Sequence, residues 1–172
     1  MFDGQFVFTQ LMSFLPKREF NVNPRMLLFN NTVRVSAIFD HRGGYKTLNL
    51  TSRFRCVFVQ NCRAINDANA PLAEQAAALA GLMGTDAGYI ENGSFTRFRE
   101  LSVTLATPRS WARRFGGRDL AVVLAGRNLA LWTKYRGLDP EITSNPGLNF
   151  TSSDFLTAPP VRYFTGRLNL TF

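Results

Sequence analysis

The sequence predicts an all-β protein built on one antiparallel up-and-down sheet of five or six strands. Several segments alternate polar and apolar residues with a period of two, which is the spacing of a strand whose two faces meet different surroundings. Short connections alternate with long ones along the chain. No apolar run in the 172 residues approaches the ~20 residues that a membrane-spanning helix needs.

The first predicted strands flank a hairpin. Arg18 to Leu28 alternates weakly, and Pro24, which has no amide hydrogen, predicts an edge strand or a bulge there. Asn30-Asn31 predicts a tight turn, because asparagine tolerates a positive φ. The next strand runs from Thr32 to Arg42. Its apolar face carries Val33, Val35, Ala37 and Phe39.

Three more strands are predicted in the second half of the chain. Arg99 to Thr107 has its apolar residues at odd positions. Arg118 to Tyr135 begins apolar on both faces, so periodicity alone does not orient it. The last strand is the clearest and ends the chain. One of its faces carries Phe164, Leu168, Leu170 and Phe172, interrupted by Gly166.

The two long connections run from about Gly43 to Asn92 and from about Arg136 to Ala158. The first contains one predicted helix, Pro71 to Met83, with Asn69 as its N-cap and Gly84 at its end. Outer-membrane barrels have short turns on the periplasmic side and long loops outside, so both long connections are expected to be extracellular. A membrane barrel needs at least about eight strands, and five or six cannot close one alone.

The positive charge leaves two interpretations open. Twenty Lys and Arg against twelve Asp and Glu give a net charge of +8. Six arginines and four aromatic residues are expected to cluster around one hairpin: Arg97, Arg99, Arg109, Arg113, Arg114 and Arg118, with Phe95, Phe98, Trp111 and Phe115. In a small soluble β protein this cluster would predict a nucleic-acid surface. In a barrel, Trp111 and Phe115 at a short turn are typical of the interfacial aromatic belt, and the alternating strands favour this reading.

Few residues indicate a catalytic, metal or redox site. With His41 as the single histidine, no catalytic constellation and no zinc site are expected, and neither an enzyme nor a cofactor is predicted. Asp139, Glu141 and Asp154 are either a carboxylate set for Ca²⁺ or solvated acids of a Pro-Glu turn. Cys56 and Cys62 are either a small disulfide loop in an oxidising compartment or two free buried thiols.

Residues 126–141 read GRNLALWTKYRGLDPE. This segment resembles the G-x-N-L-x-x-W-T-x-Y-x-G-x-D-P-E signature of SusC/RagA-type TonB-dependent outer-membrane receptors. The matching positions are Gly126, Asn128, Leu129, Trp132, Tyr135, Gly137, Asp139, Pro140 and Glu141. Gly93 to Arg99 resembles the G-S-F-x-R-x-[RK] segment of the same family, and residues 159–172 resemble its final strand with its terminal Phe. Leu105 departs from the family, which more often has Tyr there.

The resemblance implies that residues 17–172 are the C-terminal part of a receptor β-barrel and that residues 1–16 are a poorly defined N-terminal segment. It implies import of large nutrients, glycans or peptides, across the outer membrane of a Gram-negative bacterium. The family's plug and TonB box are not matched, so the segment itself is not expected to transport. Met1 is expected to be either an internal Met of a truncated reading frame or a fragment boundary.

The same resemblance implies the partners. A SusD-like surface lipoprotein and TonB–ExbB–ExbD would act through the full-length receptor, the lipid bilayer would surround the barrel, and no nucleic acid is expected. The last strand resembles the signal read by the barrel-assembly machinery, with Phe164, Leu168, Leu170 and Phe172 as its apolar positions.

Overall fold

The computed structural model describes residues 13–144 and 152–172, which divide into two compact units. The sheet unit comprises Arg18–Arg42, Phe95–Thr133 and Pro159–Phe172. The loop unit comprises Gly43–Ser94 and the described parts of Met1–Lys17 and Lys134–Ala158. Most of the predicted N-terminal segment 1–16, and residues 145–151 of the second long connection, lie outside the described residues.

Strands account for most of the sheet unit. They are β1 (Arg18–Val22), β2 (Arg25–Leu28), β3 (Val33–Gly43), β6 (Phe95–Ala106), β7 (Asp119–Thr133) and β9 (Tyr163–Thr171). The loop unit contains β4 (Lys46–Asn49), β5 (Ile90–Asn92) and β8 (Ser153–Asp154). The helices are α1 (Leu50–Val57), α2 (Arg63–Asn66), α3 (Leu72–Leu82), α4 (Arg109–Arg114) and a 3₁₀ turn at Ala87–Tyr89.

Within the described residues, the main sheet has six strands in the order β1-β3-β6-β7-β9, with β2 also paired to β3. The pairs β2–β3, β3–β6, β6–β7 and β7–β9 are all antiparallel. From β3 onward, strands that follow one another in this sheet are neighbours, while β1 and β2 both pair with β3, and the predicted antiparallel meander is confirmed.

The first hairpin turns at Asn30-Asn31, as predicted. Phe29, Asn30 and Asn31 all have positive φ, at 52°, 50° and 67°. The turn closes through the Thr32 amide, which donates to the Phe29 carbonyl at 3.0 Å. Pro24 separates β1 from β2, and its carbonyl still accepts from the Ala37 amide at 3.1 Å. The predicted interruption at this proline is confirmed.

The loop unit departs from the sequence prediction. One helix was expected in the first long connection, and the described residues there form α1, α2 and α3. Helix α1 begins where the Asn49 side chain accepts from the Ser52 amide at 3.0 Å. Helix α1 spans eight residues and α2 only four, and so few turns give too short a window for helical periodicity to be recognised. Helix α4 likewise occupies the connection that was expected to be a simple turn.

Two smaller corrections concern α3 and β8. Pro71, not Asn69, stands at the N-cap of α3, because the Asn69 amide is held in a turn by the Asp67 side chain at 2.8 Å. Gly84, with φ of 90°, follows the helix end as expected. Strand β4 pairs antiparallel with β5 but parallel with β8, a two-residue departure from the wholly antiparallel expectation. No helix among the described residues is long and apolar enough to cross a membrane.

Candidate functional site

The sheet unit has one continuous apolar face. Val35, Val103 and Leu124 are cross-strand partners on β3, β6 and β7, and the register continues to Gly166 on β9. The same face carries Met26, Leu28, Val33, Leu101, Leu105, Leu120, Val122, Phe164, Leu168 and Leu170. The register thereby orients β7, which periodicity left open.

Much of this apolar face is exposed. Leu124, Phe164 and Leu168 are 53%, 76% and 72% exposed. Soluble monomers rarely expose contiguous apolar surface on this scale, because each buried square ångström of it would be worth about 25 cal/mol. The arrangement is the one required of a sheet that meets lipid on one side and water on the other.

The opposite face is polar and internally bonded. The hydroxyls of Ser36 and Ser102 lie 2.7 Å apart across β3 and β6. Arg127 Nε donates to Glu100 Oε2 at 2.7 Å, and its Nη1 donates to the Tyr163 hydroxyl at 3.1 Å. Cross-strand polar pairs of this kind stabilise a hydrated face without needing a covering layer.

The six-arginine cluster predicted around one hairpin does not form. Arg97 and Arg99 lie at the start of β6, where Arg99 Nε donates to the buried carboxylate of Asp40 at 2.9 Å. Arg109 and Arg114 lie in α4, beyond the other end of this 12-residue strand, which spans about 40 Å. The basic patch on which the nucleic-acid interpretation depended is therefore split.

The first half of the family signature shapes β7 near a register shift. Asn128 has a φ of 54° and its Nδ2 donates to the Val161 carbonyl at 2.9 Å. Asparagine is among the few residues that adopt this conformation readily. A Cβ at Gly126 would lie 2.9 Å from the Phe164 ring, so glycine fits where the two strands approach. Leu129 is half-buried, and Trp132 is 54% exposed.

The second half of the signature folds the loop after β7. The Tyr135 hydroxyl donates to Asp154 Oδ2 at 2.5 Å, and both residues are almost completely buried. Burial, reinforced by the bond to Asp154, raises the pKa of Tyr135 well above its usual range. A Cβ at Gly137 would overlap the Tyr135 ring, so the ring packs directly on this glycine's backbone.

The Asp-Pro-Glu end of the signature is a buried turn. Asp139 Oδ1 accepts from the Glu141 amide at 2.9 Å, and the Pro140 carbonyl accepts from the Tyr45 hydroxyl at 3.1 Å. Asp139 and Asp154 are each 2% exposed, so the expectation of solvated acids is wrong for both. Among the described residues, no group of three or more His, Cys, Asp or Glu is arranged to hold a metal ion.

Glu91 is a second anchor of this loop, and sequence reasoning missed it. Its carboxylate accepts from the Arg136 amide at 2.9 Å and pairs with the Arg136 guanidinium at 3.1 Å. It also accepts from Asn49 Nδ2, at 3.1 Å. Glu91 and Asp154 thus tie residues after β7 to the start of α1. No sequence signal predicts these pairings, because the partners are 42 to 45 residues from Glu91 and up to 103 from Asp154.

The structure joins Cys56 and Cys62 in a disulfide, with their Cα atoms 5.0 Å apart. Cys56 is buried with Ala78 and Tyr89 in the core of the loop unit. The bond connects the end of α1 to the start of α2. The redox state of these cysteines in the cell remains a prediction.

The last strand lies at the end of the main sheet. Strand β9 pairs with β7 and has no strand on its other side among residues 13–144 and 152–172. Phe164, Leu168 and Phe172 are exposed, and Leu170 is half-buried. An exposed strand edge with alternate apolar side chains can be recognised by strand addition.

Comparison with known proteins connects these features. No protein-family model matches the chain. The chain is 33% identical over 89 residues to TonB-dependent receptor P3 of Formosa agariphila, a match that covers 49% of this chain and 9% of that receptor. The SusC/RagA resemblance is confirmed.

Solved structures agree with this family likeness at the level of the fold. The RagAB peptide importer in its open-open state matches with a TM-score of 0.54 at 22% identity, and its closed-closed state with 0.56 at 23%. A further RagAB peptide transporter structure gives 0.57 at 22%. Each match covers 82% of this chain and 16% of the other chain. The chain therefore spans a small part of these relatives' length, and they share its fold.

Proposed function

We propose that this chain forms part of the barrel wall of an outer-membrane TonB-dependent importer of large nutrients, either glycans or peptides. The observation that carries the proposal is the sheet itself, with an exposed apolar face on one side and a bonded polar face on the other. The similarity to TonB-dependent receptor P3 supports the same role.

The proposal assigns surroundings to each face. The lipid bilayer of a Gram-negative outer membrane contacts the apolar face, and the polar face lines the aqueous interior. A SusD-like surface lipoprotein and TonB–ExbB–ExbD act through the whole receptor. The six described strands of the main sheet are too few to enclose a pore, so transport belongs to that receptor rather than to this segment alone.

Cell fractionation with matched variants tests the membrane role. Leu168 and Asn169 are adjacent on β9 and lie on the apolar and polar faces. An arginine on a lipid-facing strand position costs about 2–4 kcal/mol near the bilayer centre. Leu168→Arg should therefore lower the amount of protein in the outer-membrane fraction, and Asn169→Arg should leave it near the wild-type level. Wild-type protein in the soluble fraction would refute the proposal.

Growth measurements test the import role. Deleting the coding sequence should reduce growth on glycans or on peptides of high molecular mass as the sole carbon source. Growth on the corresponding monosaccharides or amino acids should not change, because these do not need a TonB-dependent importer. Equal growth of the deletion strain and its parent on both large substrates would contradict the proposal.

A further inference from the structure

The loop unit contains a cavity of about 350 Å³ between its helices and β5. This volume lies within the range of roughly 300–1,000 Å³ that is usual for small-molecule sites. Small residues leave the space open. They are Ala64, Ala73, Ala77 and Gly88. A Cβ at Gly88 would lie 2.5 Å from that of Ala77, so the backbone approaches α3 closely there.

The arginines around this cavity differ in how firmly they are paired with carboxylates. Arg136 pairs with Glu91 at 3.1 Å and lies 3.9 Å from Glu74, and all three residues line the cavity. Arg63 pairs with Asp67 at 3.1 Å, but the Arg63 side chain is exposed and that of Asp67 is partly exposed, and such surface pairs exchange partners at little cost. Arg55 is exposed and has no ion pair within the described ranges.

The disulfide holds the chain positions of Arg55 and Arg63 close to each other. Arg55 precedes Cys56 and Arg63 follows Cys62, and all four residues line the cavity. The 5.0 Å separation of the bonded Cα atoms therefore keeps both arginines at one wall. Guanidinium groups bind carboxylates through paired hydrogen bonds, so two neighbouring arginines favour a ligand of that charge.

A buried hydroxyl adds a second polar feature. Tyr89 lines the cavity and is 6% exposed, yet its hydroxyl has no hydrogen-bond partner among the described residues. Burial raises the pKa of Tyr89, so the hydroxyl keeps its proton at neutral pH. Buried hydroxyls are usually bonded, and this one is closed off from solvent behind the cavity wall, so the recognising groups on the cavity surface are the two arginines.

We propose that this cavity binds a carboxylate-bearing ligand, with Arg55 and Arg63 as the recognising cations. Both acidic peptides and uronic-acid oligosaccharides carry such carboxylates. The proposal names a substrate class for the importer proposed above and rests on that function.

Calorimetric titration of the full chain in detergent tests the charge requirement. The acidic probes are tetra-aspartate and trigalacturonate, and their neutral counterparts are tetra-asparagine and the fully methyl-esterified trisaccharide. At least one acidic probe should bind, its neutral counterpart should not, and the arm that binds identifies the source. Binding of neither acidic probe, or equal binding of an acidic probe and its neutral counterpart, would overturn the proposal.

Two pairs of variants locate the binding. Arg55→Gln should weaken binding about tenfold or more, as expected for losing one charge-assisted hydrogen bond. Arg114→Gln, the same charge change at an exposed position in α4, should not. Ala73→Phe should fill the cavity and abolish binding, and Ala76→Phe, on the same helix but outside the cavity lining, should preserve it.

The outcomes separate this proposal from the proposed function. Unchanged binding in both Arg55→Gln and Ala73→Phe would refute the cavity assignment even for a protein that fractionates with the outer membrane. Arg55-dependent binding by a chain found in the soluble fraction would uphold the carboxylate site and refute the importer.

Discussion

Tyr135→Phe removes one hydroxyl from the buried turn of the family signature. In the wild type this hydroxyl donates to Asp154 Oδ2, while Asp154 Oδ1 accepts from the Thr51 amide at 3.2 Å. The variant keeps the ring that packs on Gly137, so the change is limited to the interactions of the hydroxyl, of which the bond to Asp154 is one. Asp154 is 2% exposed, and water cannot readily replace the missing donor.

The expected magnitude follows from the charge and burial of the acceptor. A hydrogen bond to a charged group contributes about 1.5–3 kcal/mol, and more is lost when the acceptor stays buried without a partner. The free energy of unfolding of the loop unit should fall by about that amount. Amide exchange at Thr51 should accelerate by roughly tenfold to a hundredfold, because this amide opens with the Asp154 contact.

Urea unfolding of the chain in detergent and hydrogen exchange measure both effects. Tyr163→Phe is the control, because it removes a hydroxyl from a more exposed tyrosine that bonds Arg127 in the sheet unit. If Tyr135→Phe matched this control in both stability and Thr51 exchange, the assignment of Tyr135 and Asp154 as anchors of the loop would be wrong.

Tyr135→Phe also changes how the free energy of unfolding depends on alkaline pH. The raised pKa of Tyr135 means that the unfolded chain loses this proton above about pH 10 while the folded protein keeps it. Stability from this group is therefore complete below about pH 10 and falls above it, by up to about 1.4 kcal/mol per pH unit. Tyr135→Phe should unfold with a shallower alkaline dependence. Tyr89, whose pKa is also raised by burial, contributes the same sign in both proteins.

Three further predictions follow from the geometry. Gly137→Ala should destabilise the loop unit by about 1–3 kcal/mol, because its Cβ would overlap the Tyr135 ring. Gly166→Ala should be tolerated, since the atom nearest to its new Cβ would be 3.7 Å away. Urea unfolding of the two variants measures the difference. Intact mass spectrometry of protein from the cell envelope should show Cys56 and Cys62 disulfide-bonded, with a local stabilisation of ~2 kcal/mol at most, and two free thiols there would count against an extracellular loop. Deleting Phe172 from the full-length receptor should lower the amount of assembled protein while leaving transport per assembled molecule nearly unchanged; normal assembly with reduced transport would exclude an assembly signal.

The sheet unit was predictable from sequence because a strand whose two faces meet different surroundings alternates polar and apolar residues. Residues 33–39 and 163–171 show this pattern, and both are strands in the structure. Pro24 and Asn30 added local backbone constraints that do not depend on distant residues. The orientation of β7 was not predictable, because both of its faces begin apolar and cross-strand register alone decides between them.

The loop unit was much less predictable because its order depends on contacts between distant segments. Glu91 and Asp154 look like ordinary surface acids in the sequence, yet each satisfies partners from another segment. The family resemblance located Tyr135 and Asp139 without explaining them. The structure supplies the physical reasons, which are a buried hydroxyl–carboxylate bond and a side chain that closes a turn around Pro140.

The central claim is that the apolar face contacts lipid and the polar face contacts water. Spin labels at Leu168→Cys and Arg167→Cys, adjacent positions on β9 with opposite faces, test it in outer membranes from the producing cell. The account predicts that the label at position 168 collides mainly with oxygen, which concentrates in lipid, and the label at position 167 with a water-soluble nickel chelate. Equal exposure of both labels to the nickel chelate would contradict the account.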